Sequence, residues 1–467
     1  MRTKLTSVVF IIVLAHIYML FTGGCAQIGA PTGGPKDTLA PVLVKASPEN
    51  KTIQFKGNKV VLAFDEYIDL QDLPSNLLIS PVQKYSPVIS YNLKTITVKF
   101  KDTLSPNTTY SLNFGNAIKD INEGNVLKNF NYVFSTGDYI DSFELKGKLL
   151  MAETGKVDST ILVLLYRNSP DTAVQHRKAD YTARLKGDGS FQFNYLPADQ
   201  FSIYALKDGD GNKYYNAKSE VFAFYNEAVN INRNNPTISL FAYAEKTEPA
   251  KAPSGLAGDK KGGDKNLRFQ NNINAGRQDL LTTLELTCKN PLKKIEVDSI
   301  VLCDTSFKKI NGYTVSLDST RRKIIIDNKW QPENLLKLIV YKNGLQDSTG
   351  LTMSKNDTIN FITRSLTEYG SLKLSFKNID LSKHPVIQFM EGESLKLKSA
   401  VTSNEWFNKM MLPGEFEVRI LYDENNNGKW DAGDYAKKLQ PEITLALPQK
   451  ISIKADWENE RDIDLKF

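Results

Sequence analysis

One short stretch carries the densest set of hard oxygen donors in this sequence. Asp423, Asn425, Asn427, Lys429, Asp431 and Asp434 fall at positions 1, 3, 5, 7, 9 and 12 of a twelve-residue loop, with Gly428 at position 6. Alternating oxygen donors around a glycine bend can wrap a calcium ion, with Lys429 contributing its backbone carbonyl. Position 12 is the shorter Asp rather than a bidentate Glu, and no helical pattern flanks the loop. A polar hairpin, in which Asn, Asp and Gly serve only the turn, is therefore the competing reading. Asp208-Gly209-Asp210-Gly211-Asn212 begins in the same way, but its sixth position is Lys213, followed by Tyr214-Tyr215. Tyr214, Tyr215 and Trp430 sit at corresponding places beside these loops. Such aromatics either stack on a sugar face or clamp their own hairpin.

The remaining reactive residues are sparse. Only His16, His176 and His384 are present, none with a second His or a Cys at ligand spacing. No nucleophile elbow, Gly-rich phosphate loop or zinc signature occurs, and Ser306-Phe307-Lys308-Lys309 matches Ser-x-x-Lys without its companion motifs. Asp65-Glu66 are adjacent at a strand end, where neighbours point to opposite faces and cannot work as an acid–base pair. No catalytic residue is nominated and no cofactor is required; calcium is the one ion the sequence suggests. Cys288 and Cys303 lie fifteen positions apart on what read as neighbouring strands. In an oxidising compartment they form a disulfide, or else they remain two buried thiols.

The third cysteine opens a different chemistry. A short basic segment (Arg2, Lys4) precedes an apolar run from Val8 to Phe21, and the small residues Thr22-Gly23-Gly24 end at Cys25. The run has the length of a secretory signal and is too short for an ordinary membrane span. A cysteine directly after the small residues resembles a bacterial lipoprotein signal, although Thr22 replaces the usual Leu. The resemblance implies lipidation of Cys25 on its sulfur and, after cleavage, on its α-amino group. It also implies attachment to the outer membrane through that anchor. Ala26-Gln27-Ile28-Gly29 lack the acidic cluster often found in exported surface lipoproteins, so the periplasmic face is expected.

The elements that must position these residues are almost all strands. Beyond Cys25 the chain is too long for one core. Its net charge of +6 is spread without a basic block, which excludes a nucleic-acid-binding reading. Short alternating runs such as Phe143 to Leu149 recur between turn signals, giving an all-β chain of sandwiches. The pattern repeats itself. Val60 to Phe64, Thr95 to Phe100 and Tyr110 to Phe114 return as Leu284 to Cys288, Lys323 to Ile326 and Leu336 to Tyr341. Leu196-Pro197, Phe201 to Leu206 and Asp208 return as Leu412-Pro413, Phe416 to Leu421 and Asp423. The repeat is roughly 220 residues, too long for a solenoid unit. It reads as a duplicated pair of domains. The expected divisions are a signal at 1–24, a flexible tether at 25–36, a large sandwich at 37–137 and a small one at 138–244. A Lys- and Gly-rich linker at 245–266, expected to be disordered, precedes a second large sandwich at 267–365 and a second small one at 366–467. Each large–small pair is expected to bury its own cores, so that the two halves behave as beads on a string.

Ala40-Pro41, Ser47-Pro48, Phe64 to Ile68, Leu104 to Tyr110 and Phe134-Ser135-Thr136 make the first large module similar to the bacterial Ig-like domain of surface-layer proteins. The second copy departs from it, with Lys289-Asn290 in place of Asp65-Glu66. Gly187 to Phe191, Leu196-Pro197 and Phe201 to Tyr204 resemble prealbumin-like or carboxypeptidase-regulatory-like sandwiches. The resemblance implies an envelope protein with a structural, spacer or binding role and no catalysis, its partner being another envelope protein or a glycan. The alternative is an enzyme or enzyme accessory acting on cell-wall or extracellular polysaccharide. Asp-Ser/Thr tripeptides such as Asp158-Ser159-Thr160, Asp318-Ser319-Thr320 and Asp347-Ser348-Thr349 resemble O-glycosylation sites of exported bacterial proteins, or serve as turns.

Overall fold

The computed structural model describes residues 2–21, 36–232, 235–245 and 266–465. Cys25, almost all of the expected tether and residues 246–265 of the expected linker lie outside them. Arg2–Phe21 is one α-helix. Among the described residues no helix is long and apolar enough to cross a membrane. Two compact units follow from the contacts, residues 1–142 with Tyr195–Pro197, and residues 143–194 with 198–467.

In the first unit, alternation of apolar and polar residues builds a sandwich. Lys59–Phe64 buries Val60, Leu62 and Phe64 and leaves the intervening residues more open. It lies in a sheet ordered Leu43–Ser47, Lys59–Phe64, Thr95–Lys99, Val88–Asn92. The facing sheet runs Phe130–Ser135, Thr109–Gly115, Leu78–Ser80. Their inner faces meet in one core, where Tyr110 stacks on Phe134 with ring centroids 5.2 Å apart. Burying alternate apolar side chains from both sheets is the main stabilising term here.

The second unit begins with a small sandwich. Ser190–Leu196, Phe143–Met151 and Ile238–Ala242 form one sheet, the last two strands parallel. Tyr181–Arg184, Leu162–Arg167, Gln200–Leu206 and Phe222–Phe224 form the other, with Val229–Asn230 also on Gln200–Leu206. The small sandwich at the C-terminal end repeats this order strand for strand. Glu405–Met411, Gly370–Lys377 and Glu458–Asp464 make one sheet, again with a parallel pair. Ser394–Ala400, Pro385–Glu391, Gly414–Tyr422 and Ile443–Ala446 make the other, with Ile451–Ile453 on Gly414–Tyr422. The large sandwich between them has Phe269–Asn271, Leu284–Cys288, Lys323–Asp327 and Thr314–Leu317 in one sheet. The same order of pairing appears in the first unit. Even the parallel bridge from Thr52 to Phe134 has its counterpart in Arg277–Gln278 beside Asp357–Thr363.

Cys288 and Cys303 are both free and buried. The expected neighbouring strands are in fact in opposite sheets, because Leu292–Ile295 pairs elsewhere, with Leu345–Asp347, between the two cysteines. Cys288 enters the core with Leu284 and Leu286. Cys303 follows the inward Leu302 and so faces the other side of its sheet, its Sγ donating to the Lys337 carbonyl at 3.5 Å. No bridge joins two side chains so placed. Burial pushes the Cys288 thiol up to about 11.

Candidate functional site

The Asp/Asn loop links Gly414–Tyr422 to Ile443–Ala446 in the second small sandwich. Asp423 is 1 % exposed and accepts the N–H groups of Asn427 and Gly428 at 3.0 and 2.6 Å. The side-chain amides of Asn425 and Asn427 both donate to Asp431 Oδ2. Four of the six expected ligand positions are thus brought together, and Lys429 lies between them in the chain. Asp434 is not among them. Its Oδ1 accepts from the Lys437 N–H at 3.2 Å, its Oδ2 pairs with Lys437 Nζ at 2.9 Å, and its backbone is bridged to Leu439. A new turn begins there and carries its carboxylate away from the loop.

A residue outside the twelve-position pattern occupies the loop instead. Glu442 is buried, and its Oε2 accepts the Asp431 N–H at 3.0 Å. Its Oε1 is buried with no hydrogen-bond partner. Burial, with a smaller contribution from the negative charge of Asp423 and Asp431, raises its carboxyl above the usual range against the hydrogen bond from the Asp431 N–H. Trp430 clamps its own hairpin, donating Nε1–H to the Glu442 carbonyl at 2.7 Å. Tyr215 does likewise in the first small sandwich, stacked on Phe222 with centroids 4.0 Å apart. There the carboxylate oxygens of Asp208, Asp210 and Glu220 lie within 4.8 Å of one another. A third acidic group, Glu66 with Asp120 and Glu123, lies in the first unit. Asp120 is occupied by the N–H groups of Glu123, Gly124 and Asn125, and Asp65 by that of Val42, both backbone-holding roles.

The hairpin beyond the loop docks onto the first small sandwich, and here the sequence expectation of independent halves is corrected. Tyr435 is buried in a cluster with Tyr204, Tyr215, Phe222 and Phe224. Its hydroxyl donates to the Asp171 carbonyl at 2.7 Å, and its N–H donates to Glu245 Oε1 at 3.0 Å. Gln440 Nε2 donates to the Phe224 carbonyl at 3.0 Å, and the Thr444 N–H to the Ala152 carbonyl at 2.8 Å. Lys156 pairs with Glu417 at 2.7 Å. Backbones approach closely at two glycines. A Cβ on Gly433 would lie 2.6 Å from Tyr243 Cζ, and one on Gly155 (φ +65°) would lie 2.5 Å from the Ala446 nitrogen. The hairpin of the second small sandwich therefore completes a buried cluster of the first, while the second keeps a core of its own around Leu372, Phe389, Trp406 and Ile420.

A cavity of about 570 Å³ borders this contact, with Asp171, His176, Lys218, Glu245, Tyr435 and Lys438 on its wall. Its two carboxylates are each matched to a lysine. Asp171 pairs with Lys438 at 3.0 Å, and Glu245 pairs with Lys218 while accepting from Tyr215 and Tyr435. Burial pushes Glu245 up, but those partners more than offset it and hold the carboxyl below its usual range. Such ion pairs hold the two faces of the contact together, the first directly and the second through Tyr435. His176 is exposed at the end of the one-turn helix Ala173–His176, and His384 sits in a left-handed turn at φ 47°. In the Asp-Ser/Thr tripeptides the aspartates make turns: Asp158, Asp318 and Asp347 accept from Thr160, Thr320 and Thr349.

Residues 37–136, which span the first-unit sandwich, match the profile of the bacterial Ig-like domain. No curated protein matches the chain. Among solved structures, the N-terminal part of the bacterial S-layer protein SbsC is 14% identical with a TM-score of 0.17, over 44% of this chain and 44% of that one. The chain thus spans less than half of that structure. The Bacillus anthracis TIE protein is 10% identical, TM-score 0.16, over 93% of this chain and 76% of its own. BcpA, the major pilin subunit of Bacillus cereus, is 8% identical, TM-score 0.16, over 69% of this chain and 99% of its own.

Proposed function

We propose that this chain is a non-catalytic cell-envelope protein, anchored by lipid at Cys25 and built to space or present a binding surface. The observation that carries the reading is the bacterial Ig-like domain at residues 37–136. The doubled sandwich pair supports it, since its loops and aromatics are used to join modules. The partner is an envelope protein or a glycan, and the chain sits at the periplasmic face of the outer membrane, a reading supported by the lack of acidic residues in Ala26-Gln27-Ile28-Gly29 after the anchor.

The test is metabolic labelling with a palmitate analogue in cells making the wild-type protein or Cys25→Ser. The wild type takes up label and fractionates with the outer membrane, resisting protease added to intact cells. Cys25→Ser takes up none and remains a larger precursor. Label in the variant would reject the anchor, and shaving of the wild type from intact cells would move it to the outer face. Release of fragments from purified cell wall or polysaccharide by the wild-type protein would reject the non-catalytic reading.

A further inference from the structure

We infer that Asp423, Asn425, Asn427, Asp431 and Glu442, with the Lys429 carbonyl, bind one calcium ion that fixes the hairpin carrying Tyr435. The inference stands apart from the anchoring and would survive its failure.

The loop alone would not carry it, because Asp and Asn also make turns. Glu442 does. Its Oε1 is sealed from water without a partner, while its other oxygen is fixed on the loop backbone at Asp431. A buried carboxylate oxygen without a donor is costly, and a cation is the partner the surroundings fit: Asp431, whose N–H holds the other oxygen, adds a carboxylate to the same loop, and among the described residues Glu442 makes no ion pair with a lysine or arginine. Five side-chain oxygens and one carbonyl, with three negative charges, suit the six- to eight-coordinate hard-ion preference of calcium. The amides of Asn425 and Asn427 now donate to Asp431 while their Oδ1 atoms accept the N–H groups of Asn427 and Lys429, so turning oxygen to the ion exchanges those loop hydrogen bonds for coordination.

The duplication supports the same residue independently. Leu206, two before Asp208, pairs with Phe222; Leu421, two before Asp423, pairs with Thr444. Counting back two from each partner gives Glu220 and Glu442. Both small sandwiches thus place a glutamate just before the following strand and beside the Asp loop; in the second copy it accepts the Asp431 N–H, and in the first it lies within 4.8 Å of the loop carboxylates. The ion would tie Gly414–Tyr422 to the segment leading into Ile443–Ala446, and so set the base of the hairpin between them.

The experiment uses full-length protein in detergent and terbium luminescence excited through tryptophan, with Trp430 inside the loop as the donor. Wild-type protein should give a saturable signal displaced by calcium and not by magnesium, which holds its water too firmly for such a loop. Trp430→Phe should lose most of the signal. Glu442→Gln should weaken calcium at least about tenfold, since ligand charge sets affinity, while Asp434→Asn should leave it unchanged. If circular dichroism shows Glu442→Gln unfolded, Asp431→Asn replaces it with the same expectation. No calcium-displaceable signal, a full signal in Trp430→Phe, or an equal loss in Asp434→Asn would each overturn the assignment.

Discussion

Tyr435→Ala removes the side chain that joins the two small sandwiches. The ring is 7 % exposed and meets Tyr204, Tyr215, Phe222 and Phe224 at centroid distances between 5.0 and 6.0 Å. Truncating a buried large aromatic costs about 3–5 kcal/mol. The hydroxyl's hydrogen bond to the Asp171 carbonyl accounts for about 1 kcal/mol of that. A loss near 4 kcal/mol is roughly a thousandfold in a dissociation constant. The assay places a specific protease site between Gly255 and Leu256, so that cleavage makes the contact intermolecular. Cleaved wild-type fragments should co-elute on size exclusion at about 10 µM, a concentration that requires binding of about 7 kcal/mol or more. Cleaved Tyr435→Ala should separate, and Tyr435→Phe, which keeps the ring, should stay together. Wild-type fragments that part at that concentration, or Tyr435→Ala fragments that do not, would refute the docking of the Tyr435 hairpin.

Three further outcomes follow from the same geometry. Glu245 is held below its ordinary value of 4.5, so its contribution is present above that pH and lost as pH falls through the folded value; Glu245→Gln should flatten the acid limb of the thermal-stability profile, and an unchanged limb would count against the network with Lys218 and Tyr435. Gly155→Ala meets both a positive φ and the Ala446 backbone, so it should cost about 1–3 kcal/mol and loosen the cleaved fragments, whereas Lys156→Ala, at a largely exposed pair, should change little. Reductant should leave the melting temperature of the exported protein unchanged, and its intact mass should correspond to two free thiols at Cys288 and Cys303; a mass lower by one bridge would contradict the opposed-sheet placement.

Strand alternation made the sandwiches legible, and residue spacing around Asp208 and Asp423 made their duplication legible. Both signals are local or repeated in sequence. The cysteines remain the two buried thiols that were one of the two readings, and only their placement on neighbouring strands failed, because Leu292–Ile295 carries the chain from one sheet to the other, a switch that spacing does not encode. Glu442 was missed because it lies past the twelve-residue loop and approaches it only through strand pairing; aligning it with Glu220 would have found it. Tyr435 has no counterpart in the first small sandwich, so a reading built on the repeat discards it. Its partners Tyr204, Phe222 and Phe224 looked like ordinary core residues of their own module. Contacts between modules leave no periodicity behind, which is why independent halves were expected.

Native-state hydrogen exchange on the full-length protein tests the central claim, that the two small sandwiches form one cooperative body, most directly. The amides of Thr444 and Tyr435, which donate to Ala152 and Glu245, should exchange with the same opening free energy as Phe222, whose amide bonds within the first small sandwich. Exchange of Tyr435 and Thr444 at a much lower free energy, with Phe222 still protected, would show that the second small sandwich opens on its own.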